Sequence, residues 1–221
     1  MTASAHSCTA LLGGSFDPVH RGHVALAGLF AGQLHPDQLR IMPAGQPWQK
    51  KAGLLASDAD RVAMLELAFK DAGFMVQVDT REIERKTPTY TVETLRELRA
   101  ELGPETSIVF LMGADQLQKL DTWREWESLF ALANFGVAAR PGYSLEDAGL
   151  PPAVAAQLAQ RKATPEQVRA SPAGRVVLAH TLAVDISATE VRSALHTGRD
   201  ASACLAPQVL DYIQQHNLYK S

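Results

Sequence analysis

The chain of 221 residues carries 21 basic and 24 acidic side chains, a formal net charge of −3, and 46% hydrophobic residues. That is enough apolar material for one sizeable α/β domain, and so even a charge balance excludes a global field that would draw the protein onto nucleic acid or acidic lipid. Any phosphate it binds has to be held by a local site.

Only Cys8 and Cys204 are present, far apart and in no metal-like spacing, which predicts free thiols in a reducing compartment. The opening MTASAHSC has neither a basic nor an apolar leader region, and no run of about 18 apolar residues occurs, so the expectation is a cytoplasmic protein with no membrane partner.

Residues 9–12 form a short apolar run that ends on a glycine pair, and residues 22–34 then carry Val24, Leu26, Ala27, Leu29 and Phe30 at helical spacing. Residues 39–42 predict a second strand stopped by Pro43, followed by a long Gly, Pro and Lys-containing loop over 44–56. Ser57 predicts an N-cap with Asp58 and Asp60 in the first turn, and Val62, Leu65 and Phe69 on one face. A third strand is expected over 74–78, then a polar link and a helix over 91–102 with Val92, Leu95 and Leu98 inward. Residues 107–112 (SIVFLM) have the continuous apolar character of a buried parallel strand.

Helical patterns surround 123–133, a fifth strand is expected over 135–139, and Arg140 opens a turn. Residues 144–175 are rich in Ala and Pro; they predict an insertion or helical subregion and receive no chemistry. A sixth strand over 176–179, a helix capped by Ser187 and a last helix opened by Pro207 complete the chain. Strands alternating with helices predict a parallel sheet covered on both faces, in a single domain over 1–221.

The stretch GGSFDPVHRGH, residues 13–23, leaves the first strand at the sheet edge where such folds bind ligands. It matches neither the dinucleotide fingerprint nor a P-loop. Its glycines allow close approach to the backbone, Pro18 stiffens the turn, and His23 falls in the first turn of a helix whose leading N–H groups favour anions. His20 and His23 are placed to donate hydrogen bonds to one polyphosphate during phosphoryl or nucleotidyl transfer. The residues alone also allow an ordinary loop and cap. Their spacing suits two ligands to a metal as well, but no third ligand stands near them and no metal site is assigned.

A second constellation, ISATEVR over 186–192, opens another helix with Ser187, Thr189 and Arg192. By itself it reads first as an N-cap and a solvated arginine. Paired with the first loop it reads as a phosphate clamp.

These two motifs together resemble the nucleotidyltransferase superfamily. Within it the chain resembles the bacterial nicotinate-nucleotide adenylyltransferases from about residue 9 to 219, through TPTYTVETLREL (87–98), GAD (113–115), TWREWE (122–127), RPGY (140–143) and YIQQHNLY (212–219). The resemblance implies a Rossmann-like α/β sheet with helices on both faces and transfer of AMP from ATP to nicotinate mononucleotide. Direct in-line attack on the α-phosphorus is implied, with Mg²⁺ accompanying ATP.

The resemblance makes His20, His23 and Arg192 catalytic. Gly14, Ser15, Phe16, Asp115, Ile186, Ser187 and Thr189 would bind ATP. Trp123 would stack on the pyridine ring, the main chain around Thr91 and Arg124 would meet its carboxylate, and Arg140 and Lys50 would reach phosphate. From the residues alone, Trp123 reads first as a core tryptophan, and Arg140 reads equally as a turn residue.

The sequence departs from the family pattern in the loop after the second strand, where Gln49 stands in place of a usual histidine, with Trp48, Lys50 and Lys51 around it. Ser15 replaces a frequent threonine and Ala188 a serine. Phosphopantetheine adenylyltransferases share the chemistry but usually carry threonine at the position of His20. Nicotinamide-mononucleotide enzymes and a nucleotide-binding regulator without turnover are the other readings.

Overall fold

The computed structural model describes residues 7–47, 54–85, 87–139, 149–179, 184 and 186–220. In chain order these form β1 (Cys8–Gly14), α1 (Arg21–Leu34), β2 (Gln38–Pro43), α2 (Asp58–Phe69), β3 (Gln77–Val78), α3 (Arg81–Glu84), α4 (Thr91–Leu102) and β4 (Ser107–Gly113). There follow α5 (Ala114–Leu117), 3-10 turns at Leu120–Thr122 and Trp126–Ser128, α6 (Leu129–Leu132) and β5 (Asn134–Ala138). The rest is α7 (Pro152–Arg161), α8 (Pro165–Arg169), β6 (Val176–Ala179), α9 (Ala188–His196) and α10 (Pro207–Gln215).

The six strands make one sheet in the order β3-β2-β1-β4-β5-β6, and every pairing is parallel. Side chains alternate between its faces. Ala10, Leu12, Val109 and Leu111 join a core with Phe30, Met64 and Val209 from α1, α2 and α10. Their neighbours Leu11, Ile108, Phe110 and Met112 join a second core with Leu95, Leu117 and Phe130 from α4, α5 and α6. Both faces are therefore covered, as a parallel sheet requires. The order reverses between β1 and β4, so the loops leaving their carboxyl ends diverge and open a crevice above the sheet.

Two anchors keep the β2 side of this crevice in place. A Cβ on Gly45 would stand 2.0 Å from the carbonyl oxygen of Glu82, so only glycine lets the chain leaving β2 press against α3. Below it, Arg40 pairs with Asp79 and Glu101, and Arg81 pairs with the same two carboxylates, at 2.6–3.2 Å.

Several expectations are corrected. The third strand is limited to Gln77–Val78. Phe74 turns inward to pack edge-on against Phe69 at 6.2 Å, and Met75 is 90% exposed, so the apolar run before it is a connection and not sheet. The polar link after β3 contains the single turn α3, held by N–H donation from Arg81 to Asp79. Residues 123–133 are broken into short turns, because Glu125 sits at a left-handed φ of 51° that no continuous helix accommodates. The described part of 144–175 holds α7 and α8, which send Val154 and Leu158 into one core and Val168 into the other. The expected turn at Arg140 lies outside the described residues.

Candidate active site

The crevice is a cavity of about 420 Å³ whose walls come from the loop after β1, the end of β4, the start of α4 and the start of α9. Gly14, Ser15, His20 and His23 line one side. This loop is fixed from below by Arg61, a wholly buried residue of α2 whose Nη1 donates to the Ser15 carbonyl at 2.8 Å and whose Nη2 donates to Asp58 at 2.5 Å. Phe16, also expected at the nucleotide, does not line the cavity. Its chain adopts a left-handed φ of 47°, and its buried ring meets His23 edge-on at 4.8 Å.

His20 is the N-cap of α1 and is 6% exposed; His23 stands in the first turn. Their rings stack at 3.7 Å between centroids, with planes 23° apart. The His20 main-chain N–H donates to His23 Nδ1 at 3.2 Å. A nitrogen that accepts in this way leaves Nε2 to carry the proton of the neutral ring, which makes Nε2–H the donor available to a ligand. Gly22 is part of the device: a Cβ there would come within 3.0 Å of His20 Nδ1.

Ile186, Ser187, Thr189 and Arg192 line another wall. Ser187 caps α9 in reciprocal bonds with Glu190, its side chain accepting from the Glu190 N–H at 3.2 Å and the Glu190 carboxylate accepting from the Ser187 N–H at 3.1 Å. Ser187 is thus both the cap of α9 and part of the cavity wall. Arg192 donates to the Asp17 carbonyl at 2.6 Å and to Thr189 Oγ1 at 3.3 Å. Asp115 lines the cavity from the start of α5 and accepts from the Gln116 side chain at 2.9 Å.

Thr89, Thr91, Glu82 and Trp123 form the remaining end. Trp123 serves core and cavity together. Its ring meets Phe110 edge-on at 6.0 Å, and it is partly buried against the second core while still lining the opening. Arg124 does not line the cavity; its guanidinium donates to Glu93 at 3.1 Å and lies 4.7 Å over the Tyr90 ring. Lys50 and Arg140, with Trp48, Gln49 and Lys51, lie outside the described residues.

Sequence reasoning missed two residues here. Arg61 sits in an ordinary helical pattern, and nothing local shows that it is buried beneath a loop far away in sequence. Glu82 belongs to what reads as a polar link. Burial pushes its carboxyl up to about 7 even though Thr94 Oγ1 donates to it at 2.6 Å. Among the described residues no group of three or more His, Cys, Asp or Glu is arranged to hold a metal ion, and no helix is long and apolar enough to cross a membrane.

A parallel sheet in this strand order, with a crevice at its switch point, is the doubly wound, Rossmann-like α/β class, which binds ligands at that place. Residues 11–194 match the cytidylyltransferase-like family. A protein of Herminiimonas arsenicoxydans named "Probable nicotinate-nucleotide adenylyltransferase" is 55% identical over 97% of each chain. One of Laribacter hongkongensis with the same name is 46% identical over 100% of this chain and 98% of its own. The fold is shared with the Plasmodium falciparum nicotinic acid mononucleotide adenylyltransferase complexed with NaAD, at a TM-score of 0.74 and 19% identity over 97% of this chain and 98% of that one. The chain belongs to the cytidylyltransferase-like family and, within it, to the nicotinate-nucleotide adenylyltransferases.

Proposed function

We propose that the protein transfers AMP from ATP to nicotinate mononucleotide, giving nicotinate adenine dinucleotide and pyrophosphate in NAD synthesis. The observation that carries this reading is the convergence on one cavity of the stacked His20 and His23 and the α9 terminus with Ser187 and Arg192. In the reaction a phosphate oxygen of the mononucleotide forms a bond to the α-phosphorus of ATP while the bond from that phosphorus to the pyrophosphate oxygen breaks. No covalent bond to the protein is needed. The protein's part is to align the two phosphates and to stabilise the charge that moves onto the leaving pyrophosphate.

His20 and His23 serve as hydrogen-bond donors to those oxygens, and Arg192 supplies a fixed positive charge beside the N–H groups that open α9. Gly14 and Ser15 bring main chain close to the nucleotide, with Phe16 as the ring that backs His23. Asp115 and Ile186 face the adenosine. At the other end the Trp123 indole offers a stacking face for the pyridine. Thr91 is the first residue of α4, where leading N–H groups suit the nicotinate carboxylate; the main chain of Arg124 is its expected companion, and Lys50 and Arg140 are expected phosphate contacts. An amide in place of the carboxylate pairs less well with such donors, which favours nicotinate over nicotinamide mononucleotide.

A Mg²⁺ ion arriving with ATP would take its ligands chiefly from phosphate oxygens and water, as hard-ion chemistry favours, and would neutralise phosphate charge there. The reading places the chain in the cytoplasm as one adenylyltransferase domain. The test is pyrophosphate release from Mg-ATP with nicotinate mononucleotide, nicotinamide mononucleotide or phosphopantetheine supplied separately. Release strongest with the first is expected. Release with another acceptor overturns the substrate, and release with none overturns the enzyme assignment.

A further inference from the structure

Asp17 is 2% exposed, yet among the described residues its carboxylate is held by neutral donors. Oδ2 accepts the Leu55 N–H at 2.9 Å, and Oδ1 accepts the Ala56 N–H at 3.1 Å and the Tyr219 hydroxyl at 2.8 Å. The main-chain carbonyl of the same residue accepts from Arg192 Nη1 at 2.6 Å. One residue of the phosphate loop thus joins the end of the loop after β2, the segment after α10 and the arginine of the α9 motif.

We infer that Tyr219 is a positioning residue for the nucleotide phosphates: by fixing the Asp17 carboxylate it fixes the carbonyl on which Arg192 rests. When one donor to a buried carboxylate is removed, the side chain turns toward the donors that remain; on this inference the carbonyl of the same residue shifts with it. The segment bearing Tyr219 is built to present this hydroxyl. Asn217 and Tyr219 both take left-handed φ values, 53° and 61°, and the Leu218 N–H closes onto the Ile213 carbonyl at 3.0 Å. Burial and the facing Asp17 carboxylate push the phenol's pKa well up, so the hydroxyl stays a donor at any working pH.

The experiment is Tyr219→Phe, which removes one oxygen, with Tyr212→Phe as control. Tyr212 also donates to a carboxylate, Asp60 at 3.0 Å, but from α10 to α2 and outside the cavity lining. Calorimetric titration of Mg-ATP into Tyr219→Phe should show Kd about tenfold weaker, the size of one lost charge-assisted bond, with Kd for nicotinate mononucleotide within about twofold. Tyr212→Phe should move neither. In a double-mutant cycle with Arg192→Lys, the two losses in ATP affinity should fall short of additive.

Equal weakening for both ligands, an unchanged ATP Kd, or strict additivity with Arg192→Lys overturns the inference. It rests on the adenylyl-transfer reading, but the titrations need no turnover. A wild type that binds ATP and transfers nothing overturns that reading alone, and a wild type that transfers while Tyr219→Phe binds ATP normally overturns this one alone.

Discussion

The main-chain N–H of His20 donates to Nδ1 of His23, and the rings of the two residues stack with their centroids 3.7 Å apart. Gly22 keeps this arrangement. A methyl group there would sit 3.0–3.1 Å from two atoms of the His20 ring, and that ring is too buried to swing freely. Gly22→Ala should therefore lower kcat/KM for ATP by about tenfold, a loss typical of a displaced donor. The melting temperature should hardly fall, since alanine's better helix propensity works against the crowding. Kinetics and a thermal melt on the same preparation check both; unchanged kcat/KM would mean that the ring's position does not matter.

Trp123 divides its surface between Phe110 and the opening of the cavity. Trp123→Ala should raise the KM for nicotinate mononucleotide by roughly tenfold or more, with a smaller change for ATP, because stacking is worth about 1 kcal/mol beyond the area it buries. The melting temperature should drop by several degrees as well, since part of the indole packs on the core. Initial rates at varied concentrations of each substrate decide; equal effects on both would make Trp123 a core residue only.

Glu82 should make the protein lose stability as pH rises through the slightly acid range. Its carboxyl has an ordinary value of 4.5 in the unfolded chain and is pushed up to about 7 by burial. Between those values the unfolded chain releases a proton that the folded one keeps, so unfolding becomes easier with rising pH. Glu82→Gln retains an acceptor for Thr94 and cannot ionise. Relative to wild type it should gain about 3 kcal/mol across that window. Urea unfolding from pH 4.5 to 7.5 measures the difference, and a constant gap would contradict the account.

The carboxylates of the Arg40, Asp79, Arg81 and Glu101 cluster behave the opposite way. Burial raises Asp79, but bonds from Arg81 and Arg40 outweigh it and hold it below 3.8; bonds from Arg40 and Arg81 hold Glu101 below 4.5. Their contribution is complete above those values and fades as pH falls through the lowered ones. Glu101→Gln should destabilise the protein at pH 7, by under about 1 kcal/mol because the glutamate is partly exposed. The deficit should shrink toward zero as the pH falls below 4. A deficit that persists at pH 3 would show that packing, and not charge, is responsible.

What the sequence made legible was what local chemistry decides. The helix expected over 91–102 is found at Thr91–Leu102, and Ser57 and Ser187 cap the helices they were expected to cap, because caps and apolar periodicity act over a few residues. His20, His23, Ser187 and Arg192 were singled out as anion-ready helix starts, and the structure brings them to one cavity.

The rest depended on contacts between distant segments. Phe74 and Met75 look like strand residues until one packs inward and the other is left in solvent. Glu125 breaks a helical pattern with a backbone conformation that its side chain does not announce. Arg61 and Glu82 carry no local mark of burial, although one holds the loop after β1 and the other lines the cavity.

The central claim is direct adenylyl transfer supported by the histidine pair. It is tested by following ATP labelled at the α-phosphate with nicotinate mononucleotide, using wild type and His23→Ala side by side. The account predicts label in the dinucleotide and none on the protein, with transfer slowed by about 100-fold or more in the variant and the fold intact by circular dichroism. Label retained on the protein, or transfer at the wild-type rate in His23→Ala, would contradict it.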